Sequence, residues 1–258
     1  MSPESPVASS QAQRLAELLS QARSAVVLTG AGISVPSGIP DFRTPGKGLW
    51  EHVDPMEVAH IESWRRDPDR FWSFYGERFA SLIDCRPNRA HDVVAELERR
   101  GLIRGVVTQN IDRLHRAAGT ERLVEVHGSI EWSVCMSCGG RVELARVLEL
   151  IEAGRGTAPQ CEACGVPLKP NVVLFGELLP ERAIAEAQAL AEEADLMLCV
   201  GSSLEVYPVA GLPEVARRAG GRLAIVTQGP TPYDGEADVR LQGDVVAELD
   251  AVMAALGP

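Results

Sequence analysis

Short apolar runs alternate with amphipathic stretches along most of the chain. We predict buried β-strands where runs of Val, Ile and Leu are too short for buried helices and rich in β-branched residues. The predicted strands are 25–29, 103–108, 123–126, 172–175, 196–200 and 223–226. Apolar residues at helical spacing predict helices over 11–22, 69–83, 90–100, 144–151, 180–194, 209–219 and 245–256.

This alternation indicates an α/β fold built on a doubly wound parallel sheet with right-handed crossovers. In such sheets, ligands bind at the carboxyl ends of the strands. The glycine-rich and polar segments that directly follow the predicted strands are therefore the candidate site.

A glycine-rich loop follows the first predicted strand and reads Gly-Ala-Gly-Ile-Ser-Val-Pro-Ser-Gly-Ile-Pro-Asp-Phe-Arg over 30–43. Gly30 and Gly32 lack a Cβ, so the backbone can turn tightly there and approach a ligand. Val35 occupies the position of the third glycine in a G-x-G-x-x-G fingerprint, and the prolines prevent a regular helix from following at once. The loop predicts an irregular dinucleotide site, although Gly-Ala-Gly alone is equally typical of an ordinary strand–turn.

Two cysteine pairs bracket a segment of different character. Cys135 and Cys138 form the first pair, Cys161 and Cys164 form the second, and the spacing is C-x2-C-x22-C-x2-C. Four thiolates complete the tetrahedral shell of zinc and leave no position for water or substrate, so we predict a structural zinc ribbon. A dithiol redox site is the alternative, but it requires a pair at a helix N-terminus.

Polar groups follow three other predicted strands. These are Gln109-Asn110-Ile111-Asp112, then His127, then Gly201-Ser202-Ser203. Each also has a structural interpretation: a histidine after a strand is more often structural than catalytic, Asn110 and Asp112 could cap a helix, and the serines could form a plain turn.

Charge and composition narrow the class of partner. The 258 residues carry a formal net charge of −11, which argues against nucleic acid or an anionic membrane and suits lysine-bearing polypeptides. No apolar run approaches the length of a membrane span. Residues 1–10 are rich in Ser and Pro without the pattern of an export signal. We therefore expect a disordered tail, a cytoplasmic protein, and cysteines that serve as thiols or metal ligands.

Together, these motifs resemble those of the sirtuins, a family of NAD-dependent protein deacylases, in number, order and spacing from residue 11 to 256. Segments 169–177 (Lys-Pro-Asn-Val-Val-Leu-Phe-Gly-Glu) and 206–211 (Val-Tyr-Pro-Val-Ala-Gly) extend the match. The resemblance implies a Rossmann-like domain and a smaller domain made of a helical insert and the zinc ribbon. The implied catalytic core spans 11–258. Within it, the Rossmann-like domain takes 11–34, 88–130 and 168–258. The helical insert takes 35–87, and the zinc ribbon takes 131–167.

The resemblance also implies an activity. In sirtuins the acyl oxygen of an acylated lysine attacks the nicotinamide ribose of NAD, nicotinamide leaves, and the acyl group ends on ADP-ribose. We therefore expect NAD as co-substrate, one structural Zn²⁺, acylated lysine in proteins or peptides as the partner, and a monomer. The alternatives are protein mono-ADP-ribosyl transfer and a zinc-ribbon interaction module without catalysis; the intact 109–112 segment and His127 argue against the module.

Roles for individual residues follow from the same resemblance. His127 corresponds to the general base that acts on a ribose hydroxyl, and Asn110 and Asp112 correspond to residues that hold the nicotinamide ribose and carboxamide. Thr227 stands where many sirtuins place an Asn near the adenosine. The expected NAD contacts are Gly30, Ala31, Gly32, Ile33, Pro40, Asp41, Phe42, Arg43, Gln109, Asn110, Ile111, Asp112, Gly201, Ser202, Ser203, Thr227 and Val245. The expected substrate contacts are Tyr75 and Arg78 and the backbone of Val173, Leu174, Phe175 and Gly176, which would pair with a substrate strand.

Tyr75 and Arg78 lie three residues apart on a predicted helix, so they share one face. A Tyr-x-x-Arg pair at this place resembles the signature of sirtuins that remove malonyl and succinyl groups, in which both side chains hold the distal carboxylate. The alternative is structural: Arg78 is a solvated helix residue, and Tyr75 is one more packing aromatic among Phe71, Phe74 and Phe79. Removal of acidic acyl groups and plain deacetylation are equally open.

Overall fold

The computed structural model of the chain describes residues 10–40, 54–154 and 157–258. The strands are β1 (Ala25–Thr29), β2 (Gly105–Thr108), β3 (Leu123–Glu125), β4 (Gly128–Cys135), β5 (Arg141–Glu143), β6 (Leu168–Val172), β7 (Leu196–Val200), β8 (Arg222–Val226) and β9 (Val239–Leu241). The helices are α1 (Ser10–Gln21), α2 (Pro55–Val58), α3 (Ile61–Arg66), α4 (Pro68–Ile83), α5 (Arg89–Arg99), α6 (Leu114–Ala117), α7 (Leu144–Ala153), α8 (Glu181–Glu193), α9 (Leu212–Arg218) and α10 (Val245–Leu256). None of the helices in these described ranges has both the length and the apolar character needed to span a bilayer.

The larger sheet has six parallel strands in the order β3-β2-β1-β7-β8-β9. Strands β2 and β3 extend the sheet on one side of β1, and strands β8 and β9 extend it on the other side, beyond β7. The sheet is therefore doubly wound, and the predicted α/β fold is confirmed. The order reverses between β1 and β7, and such sheets bind ligands in the crevice at the carboxyl ends of the strands at that point.

Apolar side chains cover both faces of this sheet. Every residue of β1 and of β7 is buried, as expected for central parallel strands. One face packs against α1, α5 and α10, and the other packs against α8 and α9. The loops at the strand ends therefore emerge from a closely packed base.

A second, antiparallel sheet has the order β5-β4-β6. It shares an apolar core with α3, α4 and α7. The indole N–H groups of Trp64 and Trp72 both donate to the carbonyl oxygen of Leu168, at 3.2 and 2.8 Å. Helices α3 and α4 are thereby bonded to strand β6, which supports the predicted small domain of insert and ribbon.

The predicted strand 172–175 is wrong in position. Strand β6 spans Leu168–Val172, and Phe175 forms only an isolated bridge with His60. Pro170 argues against a strand in the sequence, but β6 lies at the edge of its sheet, where a missing N–H is tolerated. Most of β6 lies before the apolar run 172–175, so that run predicts the strand a few residues too late in the sequence.

Other differences concern element ends and short elements. Ser10 belongs to α1 rather than to the predicted tail, and the rest of that tail lies outside the described residues. The predicted helix 209–219 is a 3-10 turn, Val209–Gly211, followed by α9. The pattern does not predict β4, β5 and β9, because β5 and β9 have only three residues each and β4 begins with Gly-Ser.

Candidate active site

Two glycine-containing loops interlock at the crevice between β1 and β7. A Cβ on Gly30 would lie 2.9 Å from the Cα of Ser202, and a Cβ on Gly32 would lie 2.8 Å from the Cα of Gly201. Gly201 has a φ of 63°, a conformation that favours glycine. The packing of one loop on the other requires these glycines, and it brings the two backbones together at the crevice.

The first glycine loop continues as two 3-10 turns, Ala31–Ile33 and Val35–Ser37, rather than as a regular helix, as the prolines predict. The Nδ2 of Asn88, at the start of α5, donates to the carbonyl oxygen of Ile33 at 2.8 Å and to the Oγ of Ser37 at 2.9 Å. Helix α5 therefore fixes this loop from the side. Of the cofactor contacts expected in this loop, Asp41, Phe42 and Arg43 lie outside the described residues.

The segment after β2 contacts both glycine loops. The Nε2 of Gln109 donates to the Oγ of Ser202 at 2.9 Å. The Nδ2 of Asn110 donates to the carbonyl oxygen of Gly30 at 3.0 Å and to the Oγ of Ser34 at 3.2 Å. Both amide residues thus lie where the two loops meet.

Asp112 is buried, and each of its carboxylate oxygens accepts a hydrogen bond. The Oγ of Ser34 donates to Oδ2 at 2.6 Å, and the backbone N–H of Leu114, at the start of α6, donates to Oδ1 at 2.9 Å. Burial raises the pKa of Asp112, while the hydrogen bonds from Ser34 and Leu114 oppose that shift. Asp112 lies one residue before the N-cap of α6, so its carboxylate joins the first N–H of that helix to the first glycine loop.

His127 lies in the turn between β3 and β4. Its Nδ1 is 2.9 Å from the carbonyl oxygen of Gln109, and because a carbonyl oxygen can only accept, Nδ1 carries the proton. Burial lowers the pKa of His127 from its usual 6.5, and the bond to Gln109 opposes that shift. The ring is neutral near pH 7 with a lone pair on Nε2, the state that a general base requires.

The segment after β6, which contains the expected substrate contacts, runs next to His127. The N–H of Val173 donates to the carbonyl oxygen of His127 at 2.8 Å. The N–H of Leu174 donates to the Oε2 of Glu177 at 2.9 Å, and the buried Nζ of Lys169 lies 2.8 Å from the same oxygen. An ion pair between the buried Lys169 and the partly exposed Glu177 therefore holds this segment in place beside the histidine.

Phe175 and Gly176 complete this segment. The N–H of Phe175 donates to the carbonyl oxygen of Ala59, and its carbonyl oxygen accepts from the N–H of Ile61, each at 2.9 Å. A Cβ on Gly176 would lie 2.6 Å from the Nε2 of His60. Phe175 thus uses both backbone groups with the α2–α3 connection. Leu174 also uses both, because the N–H of Glu177 donates to its carbonyl oxygen at 3.0 Å, so pairing with an incoming strand is a prediction that concerns the carbonyl oxygen of Val173 and the backbone of Gly176.

Two other expected NAD contacts, Thr227 and Val245, lie on the β8–β9 side of the larger sheet. Thr227 follows β8, and its N–H donates to the carbonyl oxygen of Leu241 at 3.0 Å. Its own carbonyl oxygen accepts from the Nη1 of Arg240 at 2.6 Å. Val245 is the first residue of α10 and is buried in the core. Contacts of Thr227 and Val245 with a cofactor remain predictions.

The sulfur atoms of the predicted zinc ligands converge at the end of β4. The Sγ atoms of Cys135, Cys138, Cys161 and Cys164 lie within 4.8 Å of one another. Cys135 and Cys164 are 3.3 Å apart, and Cys138 and Cys161 are 3.7 Å apart. Four sulfurs at ~2.3 Å from a tetrahedral zinc lie about 3.8 Å from one another, so the cluster fits the ion.

Tyr75 lies in an aromatic stack on α4, with ring centroids 4.7 Å from Phe71 and 5.4 Å from Phe79. Burial raises the pKa of Tyr75 to about 12, and the nearby charge of Arg78 opposes that shift. The guanidinium of Arg78 lies over the ring of Phe74, 3.5 Å from its centroid. Both side chains therefore have the packing contacts of the structural alternative, and their joint role in binding an acyl group stays a prediction.

Comparison with known proteins places the chain in a family. The model of the Sir2 family matches residues 30–208, a range that includes the first glycine loop, His127 and the four clustered cysteines. The chain belongs to the Sir2 family. The resemblance to sirtuins is thereby confirmed.

Similarity to Sir2 proteins extends over nearly the whole chain. The NAD-dependent protein deacetylase of Sulfolobus acidocaldarius is 45% identical over 244 residues, which cover 95% of this chain and 94% of that protein. The NAD-dependent protein deacylase 2 of Archaeoglobus fulgidus is 45% identical over 232 residues, which cover 90% of each. A solved structure of Sir2 with a p53 peptide and NAD+ is 41% identical, with a TM-score of 0.87, and covers 93% of this chain and 96% of that chain.

The sequence pattern misses two residues of this Sir2-family site. Ser34 is absent from the expected contacts, although it bonds with both Asn110 and Asp112. The Nε2 of His91 lies 3.4 Å from the Oγ of Ser34. Asn88 and His91 form a capping box at the start of α5, and that local pattern gives no indication of a loop 57 positions earlier. The polar character of Ser34 beside the glycines is the one signal that could have revealed it.

Proposed function

We propose that this Sir2-family protein is an NAD-dependent protein-lysine deacylase that releases nicotinamide and O-acyl-ADP-ribose. Its relatives are named NAD-dependent protein deacetylase and deacylase, and a similar structure contains a peptide together with NAD+. The observation that carries the proposal is His127, a neutral imidazole whose Nδ1 donates to the carbonyl oxygen of Gln109. The side chain of Gln109 in turn contacts the second glycine loop.

The residues at the crevice fit a dinucleotide, because two glycine loops meet there and amide side chains lie between them. NAD, when bound, supplies an electrophilic ribose carbon and nicotinamide as the leaving group. The acyl oxygen of an acylated lysine is a poor nucleophile, so the protein must hold it at close range with water excluded. We assign orientation of the nicotinamide half to Gln109, Asn110 and Asp112.

His127 performs the proton transfer in this proposal. Its Nε2 accepts a proton from a ribose hydroxyl, since Nδ1 already carries one. The resulting positive charge is stabilised by the carbonyl oxygen of Gln109, which accepts the Nδ1–H. The fixed tautomer therefore serves both the neutral and the charged state of the base.

The partner is an acylated lysine in a protein or peptide. The segment held by Lys169 and Glu177 lies beside His127 and is the proposed place for the peptide backbone. A net charge of −11 favours basic polypeptides over nucleic acid. The monomeric state and the cytoplasmic location stay predictions from the sequence.

The proposed function is tested by incubating the protein with NAD and a panel of acyl-lysine peptides. Nicotinamide release should require an acylated peptide, and the peptide should lose the mass of its acyl group. Release of nicotinamide with unacylated protein, together with a gain of ADP-ribose on that protein, would instead support mono-ADP-ribosyl transfer.

The pH dependence of the reaction follows from the burial of His127. Its pKa is lowered from 6.5, and the neutral form is the active base, so activity should persist below pH 6.5 and fall only at more acidic pH. The acid limb of kcat/KM reports groups of the free enzyme. A pH–rate profile whose acid limb lies above pH 6.5 would contradict His127 as the base.

We further propose that the acyl pocket accepts acidic groups through Tyr75 and Arg78. Tyr75 and Arg78 lie three residues apart on α4, so their side chains start from the same face of the helix. The guanidinium fork suits both oxygens of a carboxylate, and the Tyr hydroxyl adds a donor. The contact of Arg78 with Phe74 would have to open for this role.

Arg78→Met should reduce desuccinylation and spare deacetylation. Loss of the partner of a buried charge costs roughly 2–4 kcal/mol, and acetyl groups carry no such charge. The measurement is kcat/KM for matched succinyl and acetyl peptides. Arg70→Met, a change at an exposed arginine of the same helix, is the control and should alter neither rate. Equal losses on both substrates in Arg78→Met would show that the pair is only structural.

A further inference from the structure

We propose that His91 is a positioning residue that fixes the direction of the hydrogen bonds between the first glycine loop and Asp112. The inference rests on the proposed function, because its consequence is the affinity of this site for NAD. His91 lies in the first turn of α5, is completely buried, and is not among the residues expected to contact NAD or substrate.

The backbone fixes the tautomer of His91. The N–H of Asn88 points to Nδ1 at 3.4 Å as part of the capping box of α5. A backbone N–H can only donate, so Nδ1 must offer its lone pair. Burial lowers the pKa of His91 to about 4, so the ring is neutral at pH 7 and its single proton is on Nε2.

The proton on Nε2 determines what Ser34 can do. The Oγ of Ser34 lies 3.4 Å from the Nε2 of His91 and 3.2 Å from the Nδ2 of Asn110. Both nitrogens donate, and a hydroxyl oxygen accepts two hydrogen bonds. The hydroxyl hydrogen of Ser34 therefore remains for the Oδ2 of Asp112, which lies 2.6 Å away.

This chain of bonds connects a helix start to the cofactor site. One end is the N–H of Asn88 and the other is the carboxylate of Asp112. The side chain of Asn88 also donates to Ile33 and Ser37 of the same loop. The ring of His115 packs edge-on against His91, with centroids 5.0 Å apart. The start of α5 thus holds the glycine loop from several sides, and His91 is the member that sets the polarity of the Ser34 bond.

Two substitutions test the bond to Ser34. His91→Asn places an amide near the position of Nδ1, so it keeps an acceptor for Asn88 but is too short to reach Ser34. His91→Gln places its amide near the position of Nε2, so it can donate to Ser34, and a Gln at this third position of a helix can also accept from the N-cap N–H. A residue that only caps the helix would be replaced equally well by both, whereas a residue that positions Ser34 would be replaced better by Gln.

The readout is the Kd for NAD, measured by titration calorimetry without substrate turnover. We expect His91→Asn to weaken binding about 3- to 10-fold, the effect of one lost hydrogen bond, and His91→Gln to remain within about twofold of the wild type. In a Ser34→Ala background, His91→Asn should have no further effect, because the two residues act through one bond. Long-range ¹⁵N spectra of the imidazole rings should show the His91 proton on Nε2.

The inference is overturned if the effects of His91→Asn and Ser34→Ala add, if Asn preserves binding as well as Gln, or if the proton is on Nδ1. Failure of the proposed function has a different signature. In that case the wild-type protein would release no nicotinamide with any acyl peptide, whatever the variants do to NAD binding.

Discussion

His127→Ala is expected to reduce deacylation by about 10²–10⁴-fold, the usual contribution of a general base. The side chain is half-buried in a turn between two strands, and its removal takes away one hydrogen bond to Gln109 and little packing. The fold should therefore persist. The measurement is kcat for an acyl-lysine peptide at saturating NAD, together with thermal unfolding of the same samples.

His127→Asn is the matched control for this experiment. An Asn amide can still donate to the carbonyl oxygen of Gln109 from the position of Nδ1, but it offers no basic nitrogen at the position of Nε2. Both variants should be equally inactive if Nε2 is the base. An active His127→Asn would show that the residue serves only to hold Gln109.

Cys135→Ala should abolish stoichiometric zinc and destabilise the small sheet. A structural zinc site contributes on the order of 10 kcal/mol of binding free energy, which counts as folding free energy. Cys135 ends β4 and is buried in the core shared with α3 and α4, so the loss should reach that core. We expect wild-type protein to contain one zinc per chain and the variant to unfold about 10 °C lower or more.

Cys85→Ala provides the comparison for the zinc experiment. Cys85 is half-buried and lies outside the cysteine cluster, so its loss should change neither metal content nor the unfolding midpoint by a comparable amount. Zinc-free wild-type protein, purified without chelators, would refute the site. Zinc retained at full stoichiometry in Cys135→Ala would remove this cysteine from the ligand set.

The central strands and the zinc cluster could be predicted because their signals are local. The apolar runs 25–29 and 196–200 have the same ends as strands β1 and β7. The two cysteine pairs can be recognised from their spacing in the sequence. Edge strand β6 could not be placed, since only the sheet order explains why Pro170 is tolerated.

The contacts of Ser34 could not be predicted for a related reason. They join residues separated by 57 and 78 positions, and no local pattern encodes such a pair. Gly30 and Gly32 stand out in the sequence because they lack a Cβ, but the contact that requires glycine there is made with a distant loop. Each glycine makes room for the loop at Gly201. The sequence of the first loop alone gives no sign of this contact.

The pairing of β1 with β7 has a consequence for the synthesis of the protein. The N–H of Ser24 bonds with Asp195, 171 positions later, and Ala25 pairs with Leu196. A growing chain on the ribosome therefore carries β1 with the backbone N–H and C=O groups of one edge unpaired until most of the protein has emerged. Such late closure slows folding and exposes the chain to association with other unfolded chains. Fragments that stop before β7 should accordingly need a chaperone to remain dispersed.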